Sequence, residues 1–373
     1  MCMNFEKLYE KKDEVGIILK DLSNIAEPSF KEYKTTEYIT NFLEKHGIPI
    51  DKKFETGCFG TINTGSKRTI ALRADIDALP VDAENTKFAH LCGHHGHTAA
   101  LLLALKELIK NKKELNCNLR YIFQPAEETG SGALFLIDKG VLENVDEIYA
   151  LHGDPNNRLG TVAIKSGELM AGSSLFKISI SGYGTHAAFP HKGCDVVIAI
   201  SELINLCQKI ISRFKNPTKE GVISFCKING GTAANILPSE IVAEGTFRFF
   251  EEEVKNLIIN KMKRALKSVE EFYNVKTDFQ ITKGTLPLIN DQKLCNKLIK
   301  KFSFNKFKIV EDYEKMMGSE DFSYFLEKVP GVYLKVGIAL SNNHPPLHNK
   351  NFFLPVEAVL HYVYLFMQLA CVT

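Results

Sequence analysis

The stretch HTAALLLALKELIKNKKELNCNLRYIFQPAEE, residues 97–128, decides the fold class. Its first half spaces leucine and alanine at helical intervals and is built from strong helix formers, so it reads as a helix of about four turns. Its second half, LRYIFQPAEE, is a short apolar run that reads as a buried strand and delivers Glu127 and Glu128 at its C-terminal end. Upstream, RTIALRADIDALP has the same design, with a buried strand over 69–72 and charges at its end. Downstream, EIYALHGD reads as a third such strand. Strand, helix, strand, helix, strand implies an α/β protein with a mostly parallel sheet, and such sheets hold their ligands at the C-terminal ends of the strands.

Working outward, residues 4–47 read as two helices, with Gly47 as the stop. Near residue 171 the texture changes. SLFKISISGYG alternates strictly, as an antiparallel strand with one buried face does. A helix (CDVVIAISELINLCQKIISR), two strands (GVISFCKING and EIVAEGTFRFF), an amphipathic helix (EEEVKNLIINKMKRALKSVEEFY) and a last strand (VKTDFQITK) follow. This β-α-β-β-α-β order is the ferredoxin-like pattern. The remainder returns to helix, the loop MMGSEDF, the strand GVYLKVG, the loop SNNHPPLHN and a final helix. The expected organisation is therefore an α/β domain of residues 1–170 and 284–373, interrupted by an inserted α+β module of residues 171–283.

A chain of 373 residues exceeds one ordinary core, which agrees with two domains. Its 46 basic and 44 acidic residues nearly cancel, and no basic stripe is interleaved with aromatics, so no nucleic acid is expected. The nine cysteines, Cys2, Cys58, Cys92, Cys117, Cys194, Cys207, Cys226, Cys295 and Cys371, are odd in number and scattered. That is no disulfide framework, and a reduced, cytoplasmic chain is expected. MCMNFEKLYEKKDEV has no apolar leader core, and no apolar run approaches the roughly 18 residues that span a bilayer, so no membrane is expected.

Of eleven histidines, His46 and His361 fall inside predicted helices, whereas His90, His94, His95, His97, His152, His186, His191, His344 and His348 cluster at predicted loops or strand ends. Glutamate is rarely buried unless it is paired or binds a metal, so two adjacent ones at a strand end call for a cation. Cys92 and His94, at another strand end, are donors suited to zinc or a similar divalent ion. One glutamate can then bind metal while the other serves as base on an activated water. Each feature alone has a plainer reading: Cys-x-His arises by chance, and Glu-Glu commonly marks a solvated helix face. Only their placement at successive strand ends makes a site. Asp75 and Asp77 either orient a ligand imidazole or cap the following turn. Glu320 borders a predicted helix it could cap, and His344 reads as a loop residue.

RADIDALP, CGHxGHTAALL, FQPAEE, HG, GxGxHAAFPH, GGTAANILP, GTFRFF, MGSEDF and LHN, in that order, resemble the metallo-amidohydrolases that include aminoacylases, hippurate hydrolase, indole-acetyl-amino-acid hydrolases and N-acetyl-diaminopimelate deacetylase. The resemblance runs from about residue 27 to 365. It implies a zinc-aminopeptidase-like catalytic domain interrupted by a ferredoxin-like lid that often serves dimerisation. It implies metal ligands at Cys92, His94, Glu128, His152 and His348, holding two divalent ions per subunit (zinc, manganese, nickel or cobalt) with Cys92 between them. Glu127 takes the place of the catalytic base. His186 resembles the histidine that stabilises the tetrahedral intermediate, commonly across a dimer interface. Asn235 and Arg248 resemble the residues that hold the substrate's carboxylate or carbonyl, which suits the bidentate grip of a guanidinium.

The activity this implies is hydrolysis of a small N-acyl amino acid by a homo-oligomer, a dimer or tetramer joined through the lid. The near alternative is a metallo-carboxypeptidase or dipeptidase, and the alternative of another class is a metal- or ligand-binding protein without catalysis. A purely structural zinc site within CGHHGH is a third reading, which the distant Glu128, His152 and His348 oppose if they lie close in space. Three departures from the family stand out. His95 replaces the usual Asp after CGH, and there it can donate, bind metal or alter how the ligands are oriented. NIAEPSF lacks a usual histidine. The segment between DALP and CGH is short.

Overall fold

Seven consecutive buried residues, Thr69–Asp75, make one of the central strands of the larger sheet. The computed structural model describes residues 5–82, 84–302 and 307–371, so Cys2 and the start of the first predicted helix at Asn4 lie outside the described residues. The chain forms two compact units. The first is Met1–Leu169, Ile289–Glu314 and Asp321–Thr373, and the second is Met170–Leu288 with Lys315–Glu320.

In the first unit the sheet runs, edge to edge, Lys52–Lys53, Cys58–Ile62, Asn118–Gln124, Thr69–Asp75, Glu147–Arg158, Gly331–Ala339, Thr161–Ala163, Lys308–Val310. The four central strands are parallel, and the flanking Cys58–Ile62 and Thr161–Ala163 strands pair antiparallel to them. The sheet is thus mixed, parallel where helices link the strands and antiparallel where short strands return directly. Side chains alternate along each strand. Leu72, Ala74, Tyr149, Leu151, Val332, Leu334, Val336 and Ile338 join one core with the helices His94–Lys110 and Val356–Ala370. The alternate positions, Arg73, Asp75, His152 and Lys335, are also buried but polar.

The His94–Lys110 helix begins three residues before the predicted start at His97, which brings His94 and His95 into its first turn. Gly93 makes this entry possible by taking a φ of 89°. The N-terminal segment forms three described helices, Phe5–Tyr9, Lys12–Ser23 and Tyr33–Lys45, rather than two.

The second unit has the strand order Gly221–Gly230, Glu240–Phe249, Gly172–Ser181, Lys276–Lys283, with every neighbour antiparallel. Helices Val196–Lys209 and Glu252–Tyr273 pack their apolar residues against it. Asp195 caps the first of these helices by accepting from the Val197 and Ile198 amides. One expectation is corrected here. Residues 315–320 belong to this unit and not to the other, because Ala171 N donates to Met316 O and Gly318 O, and Arg248 donates to Ser319 Oγ at 2.6 Å. Among the described residues no helix is long and apolar enough to cross a membrane.

Leu102 lies in a run, Leu101 to Leu105, with no more than 1% exposure, so its helix has no free face there. Leu102→Ala is expected to destabilise the first unit by about 2–5 kcal/mol through lost burial and the cavity left behind. Denaturant unfolding followed by hydrogen exchange on the His94–Lys110 helix checks this, and a change under about 1 kcal/mol would show that the site collapses around the cavity.

Candidate metal centre

Register aligns the strand ends that carry the chemistry. Thr69–Asp75 pairs with Asn118–Gln124 up to Asp75↔Gln124, while its pairing with Glu147–Arg158 stops at Arg73↔Ala150. His152 therefore lies level with Asp75, just past the last paired residues, inside a strand longer than predicted. After Gln124 the chain turns sharply at Ala126, whose φ is 54°, so that Glu127 and Glu128 face the centre rather than continuing a strand. This turn packs so closely that a Cβ at Gly132 would come 1.6 Å from Pro125 O. The far C-terminal loop arrives through His348, at φ 63°, whose amide donates to Leu91 O at 2.9 Å.

These turns bring together side chains that are remote in sequence. His152 Nε2 and His348 Nε2 each lie 3.3 Å from Cys92 Sγ. Glu128 Oε1 is 3.8 Å from both His94 Nε2 and His348 Nε2, and Glu127 Oε2 is 3.9 Å from His94 Nε2. Three donor groups result: Cys92–His94–His152, Cys92–Glu128–His348 and His94–Glu127–Glu128. The first two share Cys92. Ligands held at about 2.0–2.3 Å in a tetrahedron stand roughly 3.3–3.8 Å apart, which matches these separations.

The remaining imidazole nitrogens are anchored. His94 Nδ1 donates to Asp77, 3.1 Å from both its carbonyl and its Oδ1, and His152 Nδ1 donates to Gly153 O at 2.8 Å. Each ring is thereby fixed with Nε2 turned inward, the arrangement that orients a metal-binding histidine. Asp77 also accepts from Ser29 Oγ at 2.7 Å and from the Glu128 amide at 3.0 Å. Asp75 meets Arg73 at 2.7 Å and His97 Nδ1 at 2.6 Å, and His97 Nε2 accepts from the Gly153 amide at 3.4 Å. So His97 ties the Asp75 strand to the His152 strand. Arg73 in turn bonds Gln124 and Asp321.

The electrostatics are those of a site short of positive charge. Burial opposes ionisation of Asp75, yet His94, Arg73 and His97 outweigh it and hold the carboxyl well below its ordinary range. Burial likewise opposes a charge on His94, but Asp75, Cys92 and Asp77 prevail and raise it well above the ordinary histidine value. Burial, with Asp77 and Asp75 adding to it, pushes Glu128 up to about 7. Burial also pushes the Cys92 thiol up to about 12. Buried acids that draw a proton onto an imidazole would take a metal cation in its stead. The donor set fits that role on a second ground: His94 Nε2 and Glu128 Oε1 are buried, point into the cluster and have no hydrogen-bond partner.

The other sequence-derived residues fall elsewhere. His95 makes no hydrogen bond to a candidate ligand among the described residues. It stacks on His90 with centroids 4.8 Å apart, because successive side chains on a helix diverge by about 100° and His94 already faces the centre. His344 bonds Phe353 O. In the second unit His186 and Asn235 are neighbours: His186 bridges to Ile236, and the Ala187 amide donates to Asn235 O. Arg248 sits toward the other end of the Glu240–Phe249 strand, seven residues beyond Ile241 or about 23 Å along it. One copy of this unit therefore does not bring Arg248 to Asn235. Glu32 escaped the sequence reading. Its Oε1 accepts the Ala126 amide at 2.8 Å and so fixes the turn that presents Glu127, and burial followed by Asp77 raises its carboxyl to about 8. The acid-bearing EPSFKE segment was its only signal.

A profile of peptidase family M20/M25/M40 matches residues 71–371. An N-acetyl-L-cysteine deacetylase of Bacillus subtilis is 37% identical over 337 residues, which is 88% of this chain and 80% of that protein. Thermostable carboxypeptidase 1 of Saccharolobus solfataricus is 33% identical over 88% of this chain and 86% of its own length. The crystal structure of a Bacillus subtilis protein described as a dinuclear metal binding peptidase of the M20 family superposes with a TM-score of 0.82 at 29% identity, covering 97% of this chain and 98% of that one.

With its thiol near 12, Cys92 carries a proton at neutral pH in the metal-free protein, and a metal held by the thiolate must displace it. Zinc uptake is therefore expected to release protons, and affinity to weaken about tenfold per pH unit for each proton released as pH falls. Calorimetric titrations in buffers of different ionisation enthalpy measure this. Affinity independent of pH would remove Cys92 from the ligand set.

Proposed function

This chain belongs to peptidase family M20/M25/M40, and on that premise we propose that it hydrolyses the amide bond of small N-acyl amino acids. The observation that carries the reading is the pair Glu127 and Glu128 on one tight turn, Glu128 directed at His94 and His348 and Glu127 beside it near His94. The similarity to an N-acetyl-L-cysteine deacetylase supports an acylated amino acid as substrate.

Two divalent ions, of the class zinc, manganese, nickel or cobalt, are proposed to be held by Cys92, His94 and His152 on one side and by Cys92, Glu128 and His348 on the other. When bound, they supply Lewis acidity toward a water and the scissile carbonyl. Glu127 accepts the proton of the attacking water and returns it to the leaving amine, so that water is divided between the acid and the amine released. Asp77 and Gly153 O keep His94 and His152 facing inward, while Asp75, held by Arg73 and His97, supplies the negative field. His186 is proposed to donate to the developing oxyanion, and Asn235 and Arg248 to hold the substrate's polar groups. Because Asn235 and Arg248 stand apart in one copy, a homo-oligomer formed through the Met170–Leu288 part is proposed, with a second copy supplying His186 and Asn235. Among the described residues no cysteine is in a disulfide, in keeping with the proposed work in the cytoplasm.

The same groups can cleave a C-terminal peptide bond, and the carboxypeptidase relative makes that the second reading. Assays of N-acetyl, N-benzoyl and dipeptide substrates separate the two by relative kcat/KM. Glu127→Gln is expected to lower kcat by at least about 10²–10⁴-fold while both metals stay bound. Unchanged turnover in a variant that retains its metals would overturn the assignment of Glu127.

A further inference from the structure

Lys335 lies in the Gly331–Ala339 strand, where every residue is buried, and is itself 5% exposed. It stands in register with His152 on the neighbouring parallel strand. Paired residues in adjacent strands point the same way from backbones about 4.8 Å apart, so the ammonium and the imidazole rise side by side from one face. Tyr333 is on that face too. Its ring centroid is 6.2 Å from that of His152 and 5.2 Å from Lys335 Nζ.

An ammonium in such a place calls for an anion. Among the described residues Lys335 Nζ makes no salt bridge to a carboxylate within 4 Å, and the buried acids of the centre are engaged with other partners. Asp75 and Asp321 serve Arg73. Asp77 accepts from His94, Ser29 and the Glu128 amide. Asp154 accepts from Tyr313 Oη at 2.8 Å and Asn157 Nδ2 at 2.6 Å. The face of Tyr333 offsets only part of the lost hydration. A second cation beside a centre designed for divalent ions also raises the local potential, unless something negative arrives with the substrate. An apolar residue would pack the strand without either penalty.

We propose that Lys335 receives a carboxylate carried by the substrate in addition to the α-carboxylate, and so selects doubly acidic N-acyl amino acids. Resting on the amide-hydrolysis reading above, this narrows the substrate class. The second carboxylate has two chemical sources: the side chain of an acidic amino acid, as in N-acetyl-glutamate or N-acetyl-aspartate, or the far end of a dicarboxylic acyl group, as in N-succinyl-alanine. Lys335 is a specificity residue here, since it holds a distal group and takes no part in the proton transfers.

The test compares the metal-loaded protein with Lys335→Met, which keeps the stem and removes the charge, and with Lys335→Arg, which keeps the charge. Kinetics use N-acetyl-alanine, N-acetyl-aspartate, N-acetyl-glutamate and N-succinyl-alanine. The parent is expected to favour at least one doubly acidic substrate, and Lys335→Met to lose about 10–100-fold in kcat/KM on it, chiefly through KM. N-acetyl-alanine should stay within about twofold, Lys335→Arg should restore part of the preference, and the favoured substrate tells which side carries the acid. Loss of equal size on all four substrates would assign Lys335 to the α-carboxylate or to structure and overturn the proposal, as would no loss on any. Calorimetric binding of glutarate and succinate to the same three proteins reads the site without turnover. Binding by the parent and by Lys335→Arg but not by Lys335→Met supports it, and equal binding by all three, or by none, sinks it. A parent that hydrolyses none of the panel yet binds dicarboxylates through Lys335 would refute the amide-hydrolysis reading and leave the carboxylate site standing.

Discussion

The buried carboxylate of Asp75 is the interaction on which the rest of the centre depends. It has no exposed surface, yet it stays ionised because Arg73, His97 and His94 surround it. Each partner extends the hold. Arg73 reaches Gln124 and Asp321, which fixes the next strand and the start of the segment after it. His97 reaches the Gly153 amide and so secures the strand of His152. A fully buried anion with this many charged partners is costly to leave half-satisfied, so the network holds its geometry as a unit.

Around that anchor the two adjacent glutamates are held in different settings. Glu128 has its Oε1 buried without a hydrogen-bond partner, 3.8 Å from both His94 Nε2 and His348 Nε2. Glu127 is one residue back on a turn that Ala126 completes with a positive φ and that Glu32 clamps from below. Adjacent residues on an extended strand would point to opposite faces. The sharp turn is what lets both carboxylates face one centre, and it explains why a buried acid 95 positions upstream of Glu127 bears on their placement.

The second unit shows the opposite economy. Its residues with substrate-facing roles by resemblance are split: His186 and Asn235 lie together at the segment that leads into the Glu240 end of the strand, and Arg248 lies toward its Phe249 end. A ten-residue strand is too long for one small substrate to span. The proposed homo-oligomer rests on this spacing.

Much of this was open to a reading of the residues alone. The buried strand over 69–72, the strand within LRYIFQPAEE, the β-α-β-β-α-β order and the metal-suited side chains of Cys92 and His94 are read from local pattern, whereas Glu128, His152 and His348 join them as candidate ligands through the family resemblance. Local pattern is short-range information, and it suffices wherever a few neighbouring residues determine an element or a ligand type. Only the tertiary structure decided that His95 turns away onto His90, that Glu32 clamps the Ala126 turn, that residues 315–320 join the second unit, and that Lys335 stands unpaired beside His152. Each of these depends on strand register or on which side of a helix a residue faces. Those are set by contacts between segments tens to hundreds of residues apart, which no stretch of sequence contains by itself.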